Sequence, residues 1–176
     1  MCQYSNMFII IDGYNLIRQS KTLRRYEVKS LEAGRAALFS LLSDYQKIKE
    51  HRITVVFDGW QGEQRFEERD RYYDVDIIYS GYGDYADDVI KRMIENAEEE
   101  TIVVSSDREI ISFAENYGKT ALSSAEFEAL MNKALHSSTT KQYAAADNQE
   151  RERKKVGPSR RLSRAQKSRQ KIMKRL

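Results

Sequence analysis

Phe8-Ile9-Ile10-Ile11-Asp12-Gly13 and Ile53-Thr54-Val55-Val56-Phe57-Asp58-Gly59 are two apolar, β-branched runs, each closed by an aspartate and a glycine. A short apolar run bounded by turn-forming residues predicts a buried strand, and apolar character on both faces is what a parallel sheet requires. Between the two runs, Leu31, Leu38, Leu41, Leu42, Tyr45 and Ile48 recur at helical spacing and predict a helix over roughly 30–49. A parallel pair needs such a crossover.

Working outward, Val75 to Tyr79 and Thr101 to Val104 repeat the strand pattern, and Thr120 to Leu122 forms a shorter one. Val89, Ile90, Met93, Ile94 and Ala97 mark one apolar face of a helix over about 86–97. Ser106 with Glu109, and Ser123 with Glu126, have the Ser-x-x-Glu spacing of a capping box, so helices are expected to begin at each. The charged, aromatic stretch from Gly62 to Tyr73 reads as an exposed loop or short helix. The resulting order predicts an α/β fold, a mostly parallel central sheet flanked by helices. Sites in open sheets of this kind lie at the carboxyl ends of the strands.

The 176 residues suit one domain with an appendage. With one cysteine, Cys2, and two histidines, His51 and His136, thiolate zinc sites, internal disulfides and histidine triads are poorly supplied. No apolar run approaches the ~20 residues that cross a bilayer, and no basic, apolar secretion signal opens the chain. The expectation is a soluble, cytoplasmic protein without a membrane partner. Charge is unevenly placed: from Lys141 onward there are 13 Lys/Arg against 3 Asp/Glu, leaving 17 against 24 in the preceding residues. An acidic body with a basic tail suggests an anionic partner such as nucleic acid.

Asp12, Asp58, the pair Asp87-Asp88, and Asp107 all follow apolar strands or open helices. Carboxylate oxygens suit hard cations, and one or two Mg²⁺ or Mn²⁺ ions can activate water and neutralise charge in phosphodiester hydrolysis. Each aspartate also has an ordinary structural explanation, in a strand-end turn or at the positive end of a helix. Adjacent carboxylates repel, however, and their convergence favours a cation among them.

Asp12-Gly13-Tyr14-Asn15, Val55-Val56-Phe57-Asp58-Gly59, Ala86-Asp87-Asp88-Val89-Ile90 and Val103-Val104-Ser105-Ser106-Asp107-Arg108-Glu109-Ile110 resemble, in order, the motifs of the bacterial YacP-like branch of NYN-domain nucleases. Ser123-Ser124-Ala125-Glu126-Phe127 extends the resemblance, which covers roughly 7–135. It implies a PIN-like three-layer sandwich and metal-dependent endoribonuclease activity, with mRNA on the ribosome as a setting. Asp12, Asp87 and Asp107 resemble the metal-site carboxylates, Asn15 the asparagine that accompanies the first, and Asp88 a fourth acid acting directly or through water. Asp12, Asn15, Asp87, Asp88 and Asp107 are thus the candidate catalytic set. Asp58 and Ser106 are possible supports, with turn formation and helix capping as their plainer roles. Glu32 is the candidate for the early-helix glutamate of many PIN nucleases, although a solvated helix position explains it as well.

The expected division is a nuclease domain over 1–135 and a basic RNA-binding tail over 136–176, containing Arg160, Arg161, Arg164, Lys167, Arg169, Lys171, Lys174 and Arg175. Leu162, Ala165, Ile172, Met173 and Leu176 are too sparse to predict a core-facing helix, so the tail reads as disordered or helical on a partner. Tyr14, Tyr82, Tyr85 and Trp60 are aromatic candidates for RNA contact, with packing the default for the tyrosines. A competing reading is a non-catalytic RNA- or ribosome-binding module with a structural acidic cluster. A haloacid-dehalogenase-like phosphatase is disfavoured because Tyr14 stands where its second aspartate would be, and a nucleotide switch because no phosphate loop is present.

Overall fold

Residues 7–59, 66–144 and 164–176 are described by this computed structural model, with side chains described over 7–59, 66–137 and 166–176. The sheet order is β3-β4-β2-β1-β5-β6. Its strands are β1 (Phe8–Asp12), β2 (Arg52–Phe57), β3 (Glu68–Tyr72), β4 (Val75–Tyr79), β5 (Thr101–Val104) and β6 (Thr120–Leu122). All neighbours are parallel except β3, which pairs antiparallel with β4. The strand ends after β1, β2, β4 and β5 therefore share one edge. The helices are α1 (Gly13–Gln19), α2 (Arg24–Glu27), α3 (Leu31–Lys49), α4 (Ala86–Asn96), α5 (Arg108–Asn116), α6 (Ser124–Ala144) and α7 (Arg164–Met173).

The period-two geometry of strands splits their buried side chains into two cores. Ile9, Ile11, Ile53, Val55, Phe57, Ile102, Val104 and Leu122 face α1, α3, α6 and α7, where Leu16, Leu38, Leu42, Phe127 and Met131 complete the cluster. Phe8, Ile10, Val56, Ile78 and Val103 face α4 and α5, packing with Val89, Ile90, Ile94 and Ile110. This is the expected α/β three-layer arrangement. Burying one such aliphatic side chain contributes about 1.5–3 kcal/mol. The central strands are consequently the least dispensable part of the chain.

Three local expectations differ from the structure. The stretch expected to be loop or short helix contains β3, whose residues are exposed throughout because an edge strand carries one ladder and no covering helix. The first capping box is displaced: Asp107, not Ser106, caps α5 by accepting from the Glu109 amide at 2.7 Å. The second stands, since Ser123 Oγ accepts from Glu126 N at 3.3 Å while Glu126 Oε2 accepts from Ser123 N at 3.0 Å. Short helices α1 and α2 follow β1 without any apolar periodicity long enough to announce them.

The carboxyl-terminal region departs furthest from its sequence reading. Helix α6 continues through 135–136 to Ala144. Helix α7 is not merely a partner-dependent element: Ile172 and Leu176 are buried in the core shared with α3 and α6, and Met173 packs against it. Tyr45 donates its hydroxyl to the Leu176 carbonyl at 3.0 Å, and Lys49 Nζ donates to that of Arg175 at 3.0 Å. The apolar residues are sparse over the whole helix but concentrated at its end, so one turn docks and the rest stays polar. Arg160, Arg161 and Trp60 lie outside the described residues, and Arg164 opens α7 with its side chain outside them. Among the described residues no helix is long and apolar enough to cross a membrane.

Ile172→Ala is expected to lower the unfolding free energy by about 2–4 kcal/mol in urea titrations. Lys167→Ala, at an exposed position of the same helix, should change it by less than about 0.5 kcal/mol.

Candidate active site

Three helices begin where the parallel strands end, and each takes an aspartate oxygen at its amino terminus. Asp12, the last residue of β1, accepts from the Asn15 amide of α1 at 3.1 Å. Asp58, just after β2, reaches across to accept from the Ala86 amide that opens α4, at 2.8 Å. Asp107, after β5, caps α5. An N-terminus offers unpaired N–H groups and a partial positive charge, so these carboxylates sit where the backbone stabilises them. Among the described residues, the second oxygens of Asp58 and Asp107 carry no hydrogen bond.

Asp12 is the most enclosed of them. The Ser105 hydroxyl donates to Asp12 Oδ2 at 3.0 Å and accepts from the Asp107 amide at 3.1 Å, coupling the ends of β1 and β5. Asn15 tightens the same junction, its Oδ1 accepting from Ser106 N at 2.9 Å and Ser124 Oγ at 2.8 Å. Ser106 in turn accepts from the Ser124 amide at 3.2 Å, which starts α6. Asn15 thus spends its carbonyl on the scaffold, and its amide N–H₂ is the end left for other contacts.

Burial pushes the Asp12 carboxyl up to about 6, against the opposing hydrogen bonds from Asn15 and Ser105, with the charges of Asp87 and Asp58 adding to the rise. Burial also raises Asp87, followed by the charge of Asp107, while Lys91 works the other way and Asp58 adds to the rise. Hydrogen bonds tie the acids to one edge: Ser105 joins Asp12 to the Asp107 amide, and Asp58 holds the amide next to Asp87. Asp88 is turned to its own helix, accepting from Tyr85 N at 3.2 Å. Glu32 is exposed and pairs with Arg35 at 3.3 Å.

The Asp-Gly steps have a steric cause. A Cβ on Gly13 would lie 2.3 Å from the Phe57 ring, and one on Gly59 would lie 2.2 Å from the Ser80 carbonyl oxygen. Both glycines let the strand ends and the β4–α4 loop close up on each other. Tyr14 belongs to this packing, nearly buried and edge-on to Phe57 at 4.9 Å between centroids. Tyr82 and Tyr85 do not; both are exposed.

All-oxygen donors fit a hard cation, and raised carboxylates crowded together are the groups one would relieve. As they stand, no three His, Cys, Asp or Glu side chains among the described residues are arranged closely enough to hold an ion. Sequence reasoning expects Ser105 to position backbone, which it does at the Asp107 amide, but not its bond to Asp12. Two contributors were missed. Ser124 is a short hydroxyl whose importance depends on a helix distant in the chain. Lys91 had a local signal, since it stands four residues after Asp87 on α4, and it is hydrogen-bonded to Glu109.

The family model for the YacP-like NYN domain matches residues 9–175. The uncharacterized protein YacP of Bacillus subtilis (strain 168) is 27% identical over 85 residues, covering 48% of this chain and 49% of that protein. The match thus spans about half of that relative's length. Two crystal structures of Rae1 (YacP) from Bacillus subtilis, one of a mutant, superpose with TM-scores of 0.67 and 0.61 at 20% and 21% identity. They cover 81% and 78% of this chain, and 86% and 82% of theirs. Likeness at this identity concerns the fold.

The raised Asp12 pKa has a definite sign. Its carboxyl titrates near 3.8 when exposed and about 6 in the fold, so the folded chain holds the proton more tightly. Stability then falls as pH rises through that window, and the buried charge stays unfavourable above it. Asp12→Asn should therefore stabilise the protein near neutral pH, by on the order of 1–3 kcal/mol, with the advantage gone below about pH 4. Equal melting of the two proteins at both pH values would refute this account of the buried charge.

Proposed function

The chain belongs to the YacP-like NYN domain family, and from that premise together with the site geometry we propose that it is a metal-dependent endoribonuclease. The observation that carries the reading is the convergence of Asp12, Asp58, Asp87 and Asp107 at the carboxyl edge of the sheet, Asp12 joined to the Asp107 amide through Ser105 and Asp58 bonded to the amide that precedes Asp87. In this reading the substrate is RNA, mRNA in particular, with the ribosome as a setting, and the protein works in the cytoplasm. Asp12, Asp87 and Asp107 would hold Mg²⁺ or Mn²⁺, with Asp88 and Asp58 supporting them through water. When bound, such an ion neutralises charge on the phosphate and lowers the pKa of attacking water.

The protein's own contributions follow from its hydrogen bonds. Ser105 holds the Asp12 carboxylate in one orientation from the side opposite the Asn15 amide, so its remaining lone pairs are directed rather than free to rotate. Asn15, fixed through its carbonyl, is left to offer N–H groups to a phosphate oxygen or a water. Lys91, four residues after Asp87, limits the repulsion among the acids without neutralising them. Ser106 serves as scaffold through the Ser124 amide.

Tail residues supply affinity in this proposal. Lys167, Lys171 and Lys174 are exposed and follow one another at i, i+4 and i+7, one stripe of α7. Arg169 and Arg175 are engaged internally, with Glu126 at 2.9 Å and Glu100 at 2.6 Å, and are better read as anchors of α7 than as phosphate ligands. A non-catalytic RNA- or ribosome-binding module is the second reading, favoured by the capping work that Asp12, Asp58 and Asp107 already perform.

Incubating mRNA with Mg²⁺ or Mn²⁺, with and without ribosomes, separates the two. Asp12→Asn and Asp87→Asn are each expected to lower cleavage about 10²-fold or more, with unchanged circular dichroism, and chelation should abolish it. Binding without cleavage by the parent protein would leave the module. Changing Lys167, Lys171 and Lys174 together to alanine should lower the slope of log affinity against log salt by roughly 2, at ~0.7 per phosphate contact on a single strand. An unchanged slope would remove the lysine stripe from the RNA interface.

A further inference from the structure

The loop between β4 and α4 is held from several sides, yet it presents large rings to water. Ser80 donates its amide to the Phe57 carbonyl at 2.9 Å, and Asp84 closes a turn onto Gly81 at 3.1 Å. Tyr85 N is held by Asp88 at 3.2 Å. A second segment is packed against this loop: a Cβ on Gly81 would come within 2.9 Å of Glu67 N and 3.0 Å of the Phe66 carbonyl carbon, so only glycine admits that approach. Arg92 of α4 fastens both segments, reaching Asp84 at 3.0 Å and Glu67 at 3.6 Å.

On this fastened frame, Phe66, Tyr82 and Tyr85 are 82%, 85% and 69% exposed. A single exposed aromatic ring is ordinary. Three on two segments that are locked together, two of them on the loop that leads into Asp87 in the first turn of α4, are a different matter. The rings contribute little to the folded core, and the frame restricts the motion that would otherwise make binding to them costly. Unpaired nucleobases are the ligands that flat rings beside a phosphodiester site suit best, because every base offers a face for stacking.

We propose that Phe66, Tyr82 and Tyr85 form a stacking platform for unpaired bases on the two fastened segments beside the amino terminus of α4. The inference rests on the nuclease reading only for the chemistry at Asp87; the platform itself is a binding surface. Bases locked in a duplex present no free face, so the platform discriminates against paired RNA. Arg92 is a positioning residue for it.

The test uses full-length Asp12→Asn protein and three probes: an unstructured oligoribonucleotide of about 12 nucleotides, the same strand with abasic positions, and its duplex. Fluorescence anisotropy gives the dissociation constants. Tyr82→Ala with Tyr85→Ala should weaken binding of the intact single strand by about tenfold or more, with abasic and duplex binding changed less than about twofold. The corresponding phenylalanine pair should bind as the parent does, because stacking needs the ring and not the hydroxyl. Arg92→Gln should weaken single-strand binding alone, by a smaller factor. Equal losses on all three probes, no loss from the alanine pair, failure of the phenylalanine pair, or no binding of the single strand by the parent would each overturn the platform. Because nothing is cleaved in this assay, absence of ribonuclease activity in the unsubstituted protein would remove the nuclease reading while leaving a positive stacking result in place.

Discussion

Negative charge concentrated at one edge of a sheet must be compensated, and much of the architecture follows from how this chain does it. Parallel strands bring Asp12, Asp58 and Asp107 to a common edge, and the following helices bring their amino termini to the same place. Each of those aspartates gives an oxygen to a helix start. The compensation is incomplete: burial, and after it the charges of neighbouring aspartates, holds the Asp12 and Asp87 carboxyls above the usual carboxylate range. The site is stable enough to fold but still short of positive charge, the deficit that the proposed metal ion would fill.

The layered fold was legible because buried strands need apolar residues on both faces, and Phe8–Ile11, Ile53–Phe57 and Thr101–Val104 supply them in short, bounded runs. The location of the carboxylates was legible for the same reason, since each acid follows a strand or opens a helix. What could not be read was which atom each acid would touch. Asp58 caps a helix that begins 28 residues later. Ser105 bonds to Asp12 across 93 positions. Asn15 meets Ser124 across 109. Such pairings are set by strand register and sheet order, which no local window contains. Asp107 displaced Ser106 as a cap because the helix starts one residue later than the capping-box spacing implied, a shift too fine for periodicity to detect.

The carboxyl-terminal helix shows how composition can mislead when burial is local. Averaged over α7, polar residues dominate, and the expectation of a detached tail followed from that average. Ile172 and Leu176 nevertheless lie one helical turn apart and enter the core together. Around them, Arg169 with Glu126 and Arg175 with Glu100 join the basic segment to the acidic body. Exposed pairs of this kind contribute roughly 0–1 kcal/mol each, so the apolar turn provides most of the hold and the ion pairs fix its direction. The uneven charge of the chain is thereby partly cancelled within the molecule, and among the described side chains of α7 the lysine stripe faces outward.

The outer strand β3 bears Glu68, Arg69, Asp70 and Arg71 in alternation, all exposed, beside a ladder of unused backbone groups. An open edge is a template on which another chain's strand can grow, and flat apolar edges nucleate aggregates in that way. Here an incoming strand would have to satisfy a sequence of opposite charges at every step, and a slip of one residue would set like charges against each other. The residues that kept this segment from being read as a strand are also those that keep it from recruiting one, so the composition that hides the edge from inspection guards it against aggregation.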